Sequence, residues 1–336
     1  MSKSQIDVAG LGLNAVDTIV RVSEYPSLGG KERIRSSLTQ AGGQVATALV
    51  TCRRLGLSAR YIGKVGDDAA GRLQISSLRR EGVDVRNVRI SRRTPNQLAY
   101  IIVDERTGER TVLWDRDPRL AVSPSDFDRR AVSTARALLV DGCDVEACSQ
   151  AARWAKAAGI PVVADLDTVY KNVEKLLPLI DYLIASADFL PALTGKTDPF
   201  RALEYMARKF HITAPGVTLG KDGALLYAQG RFHYSPGFVV RTVDTTGAGD
   251  VFHGAFIYGL LAGWNVDRIL AFSNAMAALN STATGARGGI STRAKAEKLM
   301  ATGPRRSNPV YQATPRGRRV SSYAAGKPQR GKRMGE

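Results

Sequence analysis

Short apolar, often β-branched runs alternate along this chain with stretches whose apolar residues recur at three- and four-residue spacing. The runs at 8–13, 59–63, 137–141, 160–165, 182–185 and 215–219 read as strands, and the stretches at 43–55, 69–81, 145–158 and 199–209 as helices. Strand followed by helix, repeated several times, predicts an α/β chain with a mostly parallel central sheet and helices on both faces. Two segments, 17–38 and 97–115, break the alternation: they read as strands with no helix between, the second turning back at 104–108. Strands inserted early into a parallel domain from two separated stretches predict a small β-sheet standing off the main one, in the position of a lid.

The chain's 336 residues, 44% of them hydrophobic, suffice for a substantial core and exclude wholesale disorder. Its longest apolar runs, such as 160–164, fall far short of the roughly 20 residues of a membrane span. The first seven residues show no basic segment followed by an apolar one, and three cysteines cannot all pair, which together predict a cytoplasmic protein. Cys143 and Cys148 with three scattered histidines make a poor metal cage. The net charge of +17 changes the picture only through its distribution. Residues 302–336 carry nine Lys or Arg against one acid, Glu336, together with four prolines and five glycines and no apolar period. A folded domain over 1–301 followed by a basic disordered tail over 302–336 is therefore expected. The tail reads either as a weak, salt-sensitive nucleic-acid contact or as a solvated appendage.

The segment most informative about chemistry is 243–250, Val-Asp-Thr-Thr-Gly-Ala-Gly-Asp, which runs into an apolar helical pattern. Gly247, Ala248 and Gly249 open that helix with almost no side chain, so a ligand can approach first-turn amides that have no intrahelical partner and sit at the positive end of the helix dipole. Such a place suits a phosphate. Asp250 sets a carboxylate beside it, able to take the proton of an attacking hydroxyl in phosphoryl transfer. A plain helix N-terminus with a favourable first-turn acid is the alternative reading of this segment alone.

Three further segments accompany it: 10–17 (Gly-Leu-Gly-Leu-Asn-Ala-Val-Asp), the Gly42-Gly43 pair, and 63–71, running from Gly63 to Gly71. In this order and spacing the four resemble the motifs of ribokinase-like sugar kinases, the PfkB carbohydrate kinases, over about residues 5–300. The resemblance implies a ribokinase-like fold with a small β-sheet lid, a sugar or sugar-like alcohol as acceptor, ATP and Mg2+. It implies Asp250 as catalytic base with Gly247, Ala248 and Gly249 as anion hole. Asn14, Asp17 at the end of the first strand, Gly42, Gly43 and Thr47 are implied on the substrate side. Thr218, Gly220, Gly223, Asn274 and Ala278 are implied on the nucleotide side, where a hairpin turn and a small-residue packing face are the alternatives. Asp244 with the 285–289 loop resembles a monovalent-cation site, for potassium or a similar ion. Lid strands of relatives often pair between subunits, which implies a homodimer.

Two departures limit the transfer. Thr47 replaces the asparagine usual in ribokinases, exchanging an amide for a hydroxyl and a methyl, so ribose is not implied. The family's Asn-x-x-Glu element is absent at 186–189, leaving Asp188 as a displaced carboxylate or magnesium to the nucleotide and water. Arg35, Arg116 and Arg119 near the lid read either as partners of an anionic sugar or as solvated charges, and His253 either as a site neighbour or as core. A nucleoside kinase of the same fold, and a catalytically silent fold with a nucleic-acid-binding tail, are the rival functions.

Overall fold

A computed structural model of the chain describes residues 5–107, 110–306, 308, 311, 320 and 321. In chain order its elements are β1 (Ile6–Leu11), β2 (Ala15–Val22), β3 (Ile34–Gly42), α1 (Gln44–Arg54), β4 (Ala59–Gly66), α2 (Ala69–Arg80), β5 (Asp84–Ser91), β6 (Leu98–Asp104) and β7 (Arg110–Asp115). There follow α3 (Arg129–Ser133), β8 (Ala135–Val140), α4 (Val145–Ala157), β9 (Val162–Leu166), β10 (Tyr182–Ala185), α5 (Phe189–Thr194), α6 (Pro199–Phe210) and β11 (Ala214–Thr218). The last are β12 (Ala224–Ala228), β13 (Arg231–Ser235), α7 (Ala248–Leu261), α8 (Val266–Asn280), α9 (Arg293–Thr302) and β14 (Val320–Ser321).

The large sheet has the order β14-β13-β12-β11-β10-β9-β8-β1-β4-β5, and the run from β11 to β5 is parallel throughout. Its central strands are apolar at almost every position because both faces are covered. Period-two alternation then divides them between two cores. Leu138, Val140, Val162 and Ala164 pack with residues of α4 and α6, while Ala137, Leu139 and Val163 pack with residues of α1, α7 and α8. Helix α7 crosses α1 so closely that a Cβ on Gly254 would lie 2.5 Å from Ala48 O. β5 was not expected, since more than half of its Asp-Val-Arg-Asn-Val-Arg-Ile-Ser sequence is charged or polar; it lies at the sheet edge, where such residues suit an exposed margin.

The two segments expected to form a lid do so, in the order β3-β2-β6-β7. This sheet has its own small core of Ile19, Ala99, Ile101 and Val103. All of β7 and residues 34–39 of β3 are exposed. The turn after β6 is organised by Asp104, whose Oδ1 accepts the amides of Arg106 and Thr107 at 2.8 and 3.0 Å. Asp17 was expected at the end of the first strand and instead lies inside β2: after β1 the chain passes through 12–14 and turns directly into the lid.

Helix α9 ends at Thr302. Beyond it, Val239 N donates to Pro304 O at 2.9 Å and Arg306 N to Gly237 O at 2.8 Å, and the Arg305 guanidinium stands 4.5 Å from the Phe238 ring. Tyr311 packs 5.5 Å from Tyr234 and 6.4 Å from Phe200, and β14 pairs with β13. No part of 302–336 was expected to pack; these described residues do, because an aromatic surface and a free strand edge accept isolated residues that need no periodicity. The remainder of the expected basic tail lies outside the described residues.

Candidate functional site

The parallel strands deliver their following loops to one edge of the sheet, the usual place of a ligand crevice in such folds. Residues 12–14 follow β1, Asp141 follows β8, Asp165 and Asp167 lie at and beyond the end of β9, and Thr218 ends β11. The start of α7 faces this edge. Gly247 is its N-cap with φ 73°, a left-handed conformation, and a Cβ there would lie 2.4 Å from Ala286 O. A Cβ on Gly249 would meet nothing within 4 Å, so the first turn is open to a ligand.

Asp244 secures this turn from behind. Only 4% exposed, it accepts the Thr246 amide on Oδ1 and the Gly285 amide on Oδ2, both at 2.8 Å. Asn280 Nδ2 donates to Thr246 O and Ala286 O at 3.2 and 3.1 Å. Thr246 Oγ1 is buried without a partner in the same place. A buried carboxylate, two carbonyls and an orphaned hydroxyl oxygen form a donor set chemically suited to a monovalent cation.

Asp250 is half-buried in the first turn of α7. Burial, with Asp165, Asp17 and Asp167 nearby, pushes its pKa well above the carboxylate range, and His253 opposes the rise. Asp165, 7% exposed, is raised in the same way by burial and by Asp167 and Asp141. Asp17 is 6% exposed, and burial pushes it up to about 6 against the pull of Arg287. The backbone of Gly42 presses on Asp17, since a Cβ there would lie 1.9 Å from Oδ2. Gly43, the N-cap of α1, has φ 88° and leaves no room for a side chain beside Asn14.

Asn14 donates through Nδ2 to Tyr61 Oη and Lys64 O, both at 2.7 Å, while its Oδ1 is buried with no partner. It lines a small cavity with Gln97, Lys64 and Arg116, and Gln97 Oε1 is likewise buried and unpartnered. Unfilled acceptors of this kind match the hydroxyl donors of a sugar.

Thr47 does not line this space as expected. It is fully buried, and its Oγ1 accepts from Arg287 Nε at 3.2 Å. Arg287 also donates through Nη2 to Gly42 O and through Nη1 to Ser77 Oγ, each at 3.0 Å. It thus stitches the 285–289 loop to the acceptor floor. Sequence reasoning had Arg287 only inside the cation loop, and it missed Gln97 and also Gln40, the register partner of Asp17, which lies against Gly285. The two-residue alternation of β2 and β3 was the available signal for Gln40. Nothing in the sequence places Arg287 beside α1.

On the nucleotide side Gly220 and Gly223 bracket a short turn, with φ 56° and 101°. A Cβ on Gly223 would lie 2.0 Å from Ser235 O, so that glycine is required by the turn itself. Thr218 is half-buried at the end of β11. Asn274 donates to Ser235 O at 2.8 Å, which gives its amide a packing role, and Ala278 remains half-buried on the same helix. Asp188 is exposed just before α5. Arg116 is committed to Asp144 at 2.8 Å and Arg119 to Asp117 at 2.6 Å, while Arg35 donates to Ser23 Oγ at 2.6 Å. The small sheet reaches the segment before α7 through Arg21, whose Nη2 donates to Val243 O at 3.3 Å, and through Arg110, which donates to Thr245 Oγ1.

A helix start stripped of side chains, a carboxylate on it and a lidded floor of hydroxyl-binding groups define a site for moving a phosphoryl group onto an alcohol. The family model described as pfkB family carbohydrate kinase matches residues 8–293, and the chain belongs to that family; it is an ATP-dependent sugar kinase. It is 33% identical over 273 residues to the ATP-dependent ribose-1-phosphate kinase of Halopiger xanaduensis, covering 81% of this chain and 90% of that one. Among solved structures, a putative ribokinase from Agrobacterium tumefaciens superposes with a TM-score of 0.83 at 28% identity over 88% of this chain and 98% of its own. The Arabidopsis thaliana ribokinase complexed with ribose and ATP does so with 0.75 at 25% identity, over 89% and 99%. Among the described residues no helix is long and apolar enough to cross a membrane.

Proposed function

We propose that the acceptor is a sugar or sugar-like alcohol lying under the lid between Asn14, Asp17 and the Gly42-Gly43 turn, with its reacting hydroxyl toward Asp250. The observation that carries this reading is the pair of buried, unpartnered acceptors on Asn14 and Gln97 lining one small cavity, supported by buried Asp17, which lies against Gly42 and acts electrostatically on Asp250 in the open first turn of α7. Asp17 and Asn14 orient the acceptor, Asp250 takes the proton as the bond to phosphorus forms, and the 247–249 amides stabilise the charge that develops on the transferred group. Arg21 and Arg110 hold the lid down on the same loop, so water is excluded when both substrates are in place.

ATP occupies the Thr218–Gly223 side. Mg2+ would accompany the phosphates of the nucleotide, with Asp167 and Asp188 as exposed carboxylates that could meet it directly or through water. When bound, Mg2+ neutralises phosphate charge. The Asp244 donor set would hold a monovalent cation. A homodimer through the exposed outer strands β3 and β7, a cytoplasmic location consistent with free Cys52, Cys143 and Cys148, and a weak nucleic-acid contact of the basic tail complete the reading. The decisive experiment measures ATP consumption across pentoses, hexoses, ketoses, their phosphates and nucleosides. A sugar or sugar phosphate turned over far faster than the rest is the expected result, and a nucleoside as best acceptor would overturn it.

A further inference from the structure

His253 lies three residues past Asp250 on α7 and is 2% exposed. Its Nδ1 stands 2.8 Å from Gly249 O and 3.3 Å from Asp165 Oδ2, and its Nε2 stands 3.0 Å from Ile184 O. Carbonyl oxygens accept hydrogen bonds and donate none. A neutral imidazole has one N–H, so either tautomer leaves a bare nitrogen lone pair against a carbonyl oxygen at hydrogen-bond distance. With hydrogen on both nitrogens all three contacts become attractive, and the Asp165 carboxylate supplies the counter-charge.

We propose that His253 is an imidazolium locked between Gly249, Ile184 and Asp165, and that it is a positioning residue whose buried charge keeps Asp250 ionised. The need for such a charge is visible in the surroundings. Asp165 and Asp167 from β9 and its following loop, and Asp17 from the lid, all act on Asp250, and the phosphates of a bound nucleotide add to them. Each favours a proton on Asp250, and a protonated acid cannot act as the base. Arg287 is a second cation acting on Asp17 and Asp250, from the acceptor side, whereas His253 acts from within α7. Burial is the strongest influence on the ring and pulls the His253 pKa below the usual imidazole value; the two carbonyls, Asp250 and Asp167 act the other way. It is the contact geometry, two carbonyl oxygens facing two ring nitrogens with Asp165 Oδ2 at 3.3 Å, that calls for the second proton.

The effect on Asp250 rests on the base assignment above, but the protonation of the ring does not, and the two are measured separately. In full-length enzyme labelled with 15N-histidine, the His253 ring nitrogens, identified by their loss in His253→Gln, should both report N–H at pH 7.5. A neutral tautomer there overturns the proposal regardless of activity. Should His253→Gln fail to fold, His211→Gln and His233→Gln identify the remaining ring by elimination. In turnover, removing a neighbouring cation makes Asp250 harder to ionise, so the acidic limb of the kcat/KM profile of His253→Gln should move up by about one pH unit and activity should recover toward alkaline pH. An unmoved limb, with loss equal at every pH, is the signature of a merely structural histidine and also overturns the proposal.

Discussion

The proposed anion hole and acceptor floor are built from different material. The hole is backbone: the first turn of α7, held by Asp244 and Asn280 through amides and carbonyls. The floor is side chain, drawn from β2, the 12–14 turn, the segment before β6 and, through Arg287, a loop more than two hundred residues away in sequence. Backbone donors at a helix start suit any phosphate, and Gly247 tolerates little variation because a close approach to Ala286 and a positive φ both fix it, while Gly249 keeps the turn open. Side chains on a separate, largely exposed sheet are free to change with the acceptor. On the function proposed above, one half sets the reaction and the other the substrate.

The comparison breaks most sharply at Asp250. Asp250→Asn keeps the size of the side chain and leaves the glycine amides in place, yet an amide takes no proton. Turnover should fall by about 10^3-fold or more while ATP binding, measured by calorimetry, stays within a few-fold of the parent. A variant that still turns over would remove the base from this half of the site.

On the acceptor half, Asp17→Ala and Arg287→Met should weaken acceptor binding by about 10- to 100-fold through lost or orphaned hydrogen bonds, with ATP affinity little changed. Asp17 also sets a pH dependence. Its carboxylate, pushed up to about 6 by burial, loses an acceptor lone pair when it gains a proton, so acceptor affinity should decline as the pH falls through that value and hold steady above it. Calorimetric titration of both ligands across pH 5–8 checks the direction; acceptor affinity that is flat in the parent would displace Asp17 from the sugar.

The same contrast explains what the sequence disclosed. The central strands were legible because full burial makes β8, β9 and β10 almost continuous apolar runs, and the open helix start was legible because Gly247, Ala248 and Gly249 stand side by side in the sequence. β5 escaped because its edge position permits charge at alternate residues. Gln97 and Arg287 escaped because polar residues reveal a role only through their neighbours, and those neighbours come from distant segments. Thr47 was expected to line the substrate side and is instead fully buried, with the guanidinium of Arg287, more than two hundred residues away, on its hydroxyl.

A smaller effect is expected where the two halves are tied together. Asp244 and the 285–289 loop hold the α7 turn, and Arg287 in that loop holds Gly42 O. A monovalent cation at the Asp244 donor set would order both, so replacing potassium by a bulky organic cation at constant ionic strength should lower kcat a few-fold and weaken acceptor binding in parallel. Rates that are equal in the two buffers would show that the hydrogen bonds of Asp244 and Asn280 suffice by themselves.

The smallest effect concerns a region belonging to neither half. Beyond α9, Arg305 lies on Phe238, Pro304 and Arg306 pair with the 237–239 backbone, and Tyr311 stacks near Tyr234 and Phe200. These contacts sit behind the nucleotide-side hairpin rather than in the crevice, so they bear on stability and not on the chemical step. Removing everything after Thr302 should cost about 1–2 kcal/mol, chiefly from Tyr311 and the backbone pairs, whereas removing everything after Ser321 should cost close to nothing. Urea unfolding of the two truncated chains against the parent separates the cases, because the midpoint shifts in proportion to stability when the slope is unchanged. Turnover should be retained in both. If the longer truncation alone loses turnover at full stability, the residues past α9 act on the nucleotide-side loop after all, and the division between a backbone half that reacts and a side-chain half that selects would need a third, C-terminal contributor.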